Sequence, residues 1–103
     1  RYENDWYYQV SQDIGNVPGN PWFICTMWYG QWLVSQARSL DDLKKAREIL
    51  DWVAGAALPS GVLSEQLDPY TKSPISVSPL TWSHATVVSL VNEYVRKRKA
   101  LTA

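Results

Sequence analysis

Residues 20–38 read N-P-W-F-I-C-T-M-W-Y-G-Q-W-L-V-S-Q-A-R, and this run decides the fold. Asn20 before Pro21 is a helix-start signature: a short polar side chain able to cap a first turn, then a residue whose missing N–H is harmless there. The spacing predicts a first helix over residues 21–38. Trp22, Phe23, Ile24, Cys25, Met27, Trp28, Tyr29, Trp32, Leu33 and Val34 leave it little polar face, so other elements are expected to enclose it on nearly every side. A chain of 103 residues can hardly supply that enclosure alone.

Downstream, Ser39 and Asp42 stand three apart, as in a capping box with aspartate replacing the usual Glu or Gln. Leu43, Ala46, Leu50, Val53 and Ala57 then recur at threes and fours, while Asp41, Lys44, Lys45, Arg47, Glu48 and Asp51 face away. That pattern predicts an amphipathic outer helix stopped by Pro59-Ser60-Gly61. Residues 61–78, with Pro69 and Pro74, read as a loop, and Ser78-Pro79 repeats the cap-plus-proline start of a third helix over residues 79–99. Its apolar side is assigned to Trp82, Ala85, Val88, Val91 and Val95. The cations Arg96, Lys97, Arg98 and Lys99 fall in its last turn, where they complement the helix macrodipole. Upstream, residues 1–20 show neither helical nor strand periodicity and end in Gly, Pro and Asn punctuation, so they read as a long loop. With no strand signal, the fold class is all-α.

Ten lysines and arginines balance ten aspartates and glutamates, so no global field favours nucleic acid, anionic lipid or a polyanion. Uncharged partners fit better. No run approaches the roughly 18 apolar residues of a membrane span. The single cysteine, Cys25, cannot form an internal disulfide and is expected to be a buried small hydrophobe, which slightly favours a cytoplasmic setting. The chain opens at Arg1, inside an aromatic and charged motif and without an initiator methionine, so it is expected to be a piece of a longer protein. His84 and Cys25 are the only soft ligands and lack metal-site spacing, so neither metal nor cofactor is expected. No serine sits in a nucleophile elbow, and His84 reads as a hydrogen-bonded structural histidine.

The carboxylates carry more. Glu65 lies in the loop before the third helix, with Ser64, Gln66, Ser76 and Ser78 able to hydrogen-bond it and Trp82 able to shield it, a setting suited to a general base. Asp68 before Pro69 reads instead as a turn-former. A second constellation sets Arg1, Glu3 and Asp5 among Tyr2, Trp6, Tyr7 and Tyr8, mixing hydroxyl-binding charges with rings that can stack on a pyranose. Sugar chemistry of this kind generally needs two carboxyl groups. Only one stands in such a setting here.

Three blocks, R-Y-E-N-D-W-Y-Y at residues 1–8, G-N-P-W-F-I-C-T at 19–26, and S-E-Q-L-D at 64–68 followed by L-T-W-S at 80–83, resemble glycoside hydrolase family 15, the glucoamylase and glucodextranase group. The resemblance implies that residues 1–103 are the C-terminal part of one catalytic domain, the last helices of an (α/α) six-hairpin toroid barrel, incomplete in this chain. It implies an inverting, exo-acting enzyme that releases glucose from the non-reducing end of α-glucans or α-gluco-oligosaccharides. By the same similarity Glu65 is the general base and Ser76 its hydrogen-bonding support. Arg1, Asp5, Trp22 and Trp82 fall on substrate-binding positions. The general acid of the family belongs to an earlier loop, so Glu3 does not fill its place and the chain alone is expected to be inactive. The L-T-W-S block favours an oligosaccharide glucosidase over a trehalase-like relative. Two other classes compete: a non-catalytic sugar-binding or regulatory barrel like that of phosphorylase kinase subunits, and a helical interaction protein whose first helix pairs with a partner chain.

Overall fold

The computed structural model describes residues 19–103. The charged and aromatic block with Arg1, Glu3 and Asp5 lies outside the described residues, as does the loop expected over residues 1–20 apart from Gly19 and Asn20. Three helices dominate the rest: α1 (Phe23–Gln36), α2 (Lys44–Ala56) and α3 (Thr81–Thr102). Between α2 and α3, the short strands β1 (Gln66–Leu67) and β2 (Pro74–Ile75) pair antiparallel, Gln66 opposite Ile75 and Leu67 opposite Pro74. The all-α class therefore holds, with a small ladder in what reads from sequence as plain loop. Two residues per strand are too few to show an alternating pattern, which explains the missing signal.

Helix α1 lies between its neighbours, packing most extensively on α3 and then on α2. Phe23, Met27, Val34 and Ala37 meet Leu43, Ala46 and Val53 from the second helix region, Leu90 from α3, and Leu63 and Leu67 from the connecting segment. Gly30 marks a close approach of α1 to α3, since a Cβ there would stand 2.7 Å from Leu90 Cδ2 and 3.2 Å from Leu90 Cδ1. On its other side α1 leaves Trp28, Tyr29 and Trp32 about half exposed. The absence of a polar face is thus real, and the described residues cover only part of it.

The second helix follows the amphipathic expectation, with Leu43, Ala46 and Val53 buried and Leu50 and Ala57 half-buried. The expected Ser39–Asp42 bonds are formed, but in the turn ahead of α2, whose own N-cap residue is Leu43 without a side-chain cap: Asp42 Oδ2 accepts the N–H groups of Ser39 and Arg38 at 2.9 and 2.8 Å, and Asp42 N–H donates to Ser39 Oγ at 3.2 Å. The Arg38 N–H, then the Ser39 hydroxyl, hold the Asp42 carboxyl below the ordinary aspartate range. The Pro59-Ser60-Gly61 stop is a turn closed by Gly61 N–H on the Leu58 carbonyl at 2.7 Å, with Gly61 at φ 82° where a side chain would be strained.

Both cap-plus-proline readings need correction. The N-cap residue of α1 is Trp22 and that of α3 is Leu80; both are extended and neither end has a side-chain cap. Asn20 instead turns inward, fully buried. Ser78 precedes Pro79 through a cis peptide bond, and the chain turns into α3 with Leu80 N–H donating to the Leu63 carbonyl at 3.0 Å. At the N-termini of α1 and α3, tertiary hydrogen bonds have replaced local caps.

The face assigned to α3 is also reversed. Trp82, Ala85, Val88, Val91 and Val95 are exposed, whereas Ser83, Thr86 and Leu90 are buried, with Val87, Tyr94 and Leu101 packed beside them. Two stripes at three-and-four spacing run along this helix, and the more polar one faces α1. It can do so because its hydroxyls are satisfied: Ser83 Oγ donates to the Ser64 carbonyl at 2.8 Å, and Thr86 Oγ1 lies 2.9 Å from the Ser83 carbonyl. The helix also runs on to Thr102, so only Lys99 of the basic run lies in the last turn.

Candidate functional site

Glu65 sits between two backbone neighbours distant in sequence. Its N–H donates to the Val77 carbonyl at 3.0 Å and its carbonyl accepts Phe23 N–H at 3.4 Å. Leu67 N–H donates to the Pro21 carbonyl at 3.0 Å, and Trp22 forms a bridge with Gln66. Residues 21–23, 65–67 and 74–77 therefore lie side by side, and Glu65 belongs to the middle strip. This ladder fixes a backbone that turn residues alone would leave loose.

Two supports hold the strip to α3. His84 Nε2 accepts Leu63 N–H at 3.0 Å, and Ser83 Oγ reaches the Ser64 carbonyl. His84 is thus a structural acceptor in the first turns of α3, as its sequence context suggests. Ser64 Oγ donates onward to the Gln66 carbonyl at 2.6 Å.

The half-buried Glu65 side chain receives two donors on one oxygen. Ser76 Oγ donates to Oε1 at 3.0 Å and Gln66 Nε2 donates to the same atom at 2.6 Å. Of the four neighbours named from sequence, Gln66 and Ser76 engage the carboxylate, while Ser64 serves the Gln66 backbone. Ser76 has φ 66°, in the left-handed region that a non-glycine residue adopts only when its surroundings over-determine it. The pairing of Ile75 with Gln66 on one side and the Glu65–Val77 bond on the other supply that determination. The unusual backbone aims the Ser76 hydroxyl at the carboxylate.

The aromatic candidates separate. Trp22 is half-buried and joined to the central strip through its backbone bridge with Gln66. Trp82, in the first turn of α3, is 52% exposed and meets Trp28 of α1 edge-on, with ring centroids 5.8 Å apart and planes at 66°. Arg1 and Asp5 lie outside the described residues. Cys25 is a half-buried free thiol. Among the described residues no cluster of three or more His, Cys, Asp or Glu groups could hold a metal ion, and no helix is long and apolar enough to cross a membrane.

Asp68 forms the turn expected of it. Its Oδ1 accepts the N–H groups of Tyr70 and Thr71, each at 2.8 Å, closing the connection between β1 and β2. These bonds, that of Thr71 first, hold the carboxyl below its ordinary value of 3.8. A depressed folded value means that the turn's contribution to stability is fully present above the unfolded value and is lost as pH falls through the folded one. The Tyr70 and Thr71 amide proton shifts should therefore titrate together at a pH below 3.8. Invariant shifts across that window would refute the assignment.

Asn20 is the participant that sequence reading places elsewhere. Its Nδ2 donates to Gln66 Oε1 at 3.0 Å, across 46 residues, and both side chains are buried. A residue before proline gives a local cap signal, whereas its actual partner is remote. Nothing short-range could have revealed it.

The family model described as glycosyl hydrolases family 15 matches residues 1–92. An uncharacterized glycosyl hydrolase of Methanocaldococcus jannaschii is 32% identical over 95 residues, an alignment covering 78% of this chain and 15% of that protein. The chain thus spans about 15% of the length of the curated relative it matches. No solved structure shows a significant match. The chain belongs to glycosyl hydrolase family 15.

Proposed function

We propose that residues 1–103 form the C-terminal part of the catalytic domain of an inverting, exo-acting glycoside hydrolase that releases glucose from the non-reducing end of α-glucans or α-gluco-oligosaccharides. The observation that carries this reading is the Ser76–Glu65 hydrogen bond. It supports the roles that the family resemblance gives these residues, with Glu65 as general base and Ser76 steadying it. Arg1, Asp5, Trp22 and Trp82 bind the sugar. The general acid belongs to an earlier loop of the complete protein, and the two carboxyl groups stand roughly 6.5–9.5 Å apart in an inverting site, leaving room for water.

The outward stripe of α3 and the exposed rings of α1 support the barrel reading. Val88, Val91 and Val95 on α3, with Trp28 and Trp32 on α1, are large apolar side chains left exposed among the described residues, the kind of surface that other elements cover. In the proposed architecture, preceding helices of the same (α/α) six-hairpin barrel cover that surface. This part of the reading draws on the small share of the relative's length that the chain spans.

Incubating the complete protein with maltotriose and with isomaltotriose, from which the first glucose released is the non-reducing unit alone, and following the anomeric proton signals of glucose by NMR over the initial turnovers, tests the reaction. Newly released glucose should appear first as the β-anomer, from one substrate or both, and residues 1–103 alone should release none. First appearance of the α-anomer would rule out inversion. Absence of any glucose from the complete protein would favour a regulatory sugar-binding barrel instead.

A further inference from the structure

We propose that His84 is a positioning residue that holds the Glu65 strip only while its imidazole is neutral, so that on acidification turnover fails through this ring before the base itself is protonated. The turnover half of the inference rests on the general-base reading of Glu65; the hold on the strip does not. His84 Nε2 accepts Leu63 N–H at 3.0 Å. A backbone amide can only donate, so Nε2 carries a free lone pair and the proton of the neutral ring sits on Nδ1. Leu63 is 4% exposed, and the start of α3 takes both of its polar backbone groups, Leu80 N–H donating to its carbonyl at 3.0 Å while His84 takes its N–H. The next residue, Ser64, is gripped through its carbonyl by Ser83 Oγ at 2.8 Å, and Glu65 follows. Of the three grips that α3 has on this strip, that of His84 alone can titrate.

Protonation reverses the contact. An imidazolium carries N–H on both nitrogens, so Nε2 would set a donor against the Leu63 donor, and a buried amide would lose its acceptor. Either the ring turns away or the strip lifts. The Ser83 and Leu80 bonds remain, so the strip is loosened and not released, which suffices to misplace a carboxylate two residues on. No nearby charge offsets the change. Residues 52–64 and 77–92 contain no charged side chain besides the imidazole, and α1 contributes only the titratable groups Cys25 and Tyr29. On the strip, Glu65 is engaged by Ser76 and Gln66 and Asp68 by its own turn, while further along α3 the first charge, Glu93, accepts from Gln31 Nε2 at 2.9 Å. The charges of α2, Lys44, Lys45, Arg47, Glu48 and Asp51, are all exposed.

In the complete protein, kcat and KM are measured against pH for wild type, His84→Gln and His84→Ala, and leucine-selective isotope labelling reports the Leu63 amide by NMR. Glutamine offers an acceptor at the reach of Nε2 that does not titrate. His84→Gln should keep the plateau kcat within about threefold and move the acid limb about one to two pH units toward acid, since imidazole and carboxyl side chains ordinarily titrate about two units apart. His84→Ala should lower the plateau kcat about tenfold with KM within about twofold, as for a misplaced reacting group. The wild-type Leu63 amide signal should shift along the same curve as the acid limb, a comparison that needs no variant, and should stay in place in His84→Gln. An acid limb unmoved in His84→Gln, or a wild-type Leu63 amide that does not follow the limb, would overturn the role of His84 while leaving Glu65 as base. A Leu63 amide that titrates as expected in a complete protein unable to turn over would instead overturn the general-base reading.

Discussion

Replacing Glu65 by glutamine in the complete enzyme is expected to lower kcat by about 10²- to 10⁴-fold, the span over which a positioned general base accelerates a reaction. The substitution preserves shape and the capacity to accept from Ser76 and Gln66, so the ladder around it should stand. What disappears is the ability to remove a proton from water. On the proposed reading KM should move little, because the amide fills the same volume as the carboxylate. The loss corresponds to about 3–5 kcal/mol of transition-state stabilisation. Steady-state kinetics on maltose or isomaltose decide the matter, and a kcat within threefold of wild type would remove Glu65 from the chemistry.

The second large effect concerns Phe23. Its side chain is fully buried, its ring meets Trp52 of α2 at a centroid distance of 5.3 Å, and its N–H is bonded to the Glu65 carbonyl. Truncation to alanine removes the aromatic bulk at the place where α1, α2 and the strip bearing the carboxylate converge. The cost should be about 3–5 kcal/mol, made up of lost transfer energy and a cavity that the fixed backbone ladder cannot collapse into. Calorimetry of the complete protein should show a clearly lowered unfolding temperature for Phe23→Ala and a much smaller change for Phe23→Leu. Equal behaviour of the two variants would place the stabilising contacts of this region elsewhere.

How much of the fold and site is legible in the sequence depends on how far apart the partners are. The three helices and the Ser39–Asp42 box follow from neighbours within four residues, where spacing and propensity are informative. The turn at Asp68 is local in the same way. Glu65 and Ser76 stand out through the block resemblance, and the β1–β2 turn brings the two together across a separation of eleven residues. What escapes a sequence reading is each choice made by a remote partner. Asn20 and Ser78 look like caps, yet the strip pairing and the Leu63–Leu80 bond govern how α1 and α3 begin. On α3 the hydrophobic count favours the valine stripe. The inward choice of Ser83 and Thr86 depends on carbonyl partners that periodicity does not reveal.

The central strip has a consequence for the order in which the molecule assembles. The residues around its carboxylate are joined by bonds that reach far along the described chain, the Asn20–Gln66 contact closing 46 residues, whereas the hydrogen bonds within each helix close over four. Closing so long a loop costs entropy before any contact rewards it, so such pairings form slowly compared with local ones. The helices can arise early and the carboxylate acquires its neighbours late. The arrangement around Glu65 is then a mark of finished folding, since a chain stalled with its helices formed would still lack it.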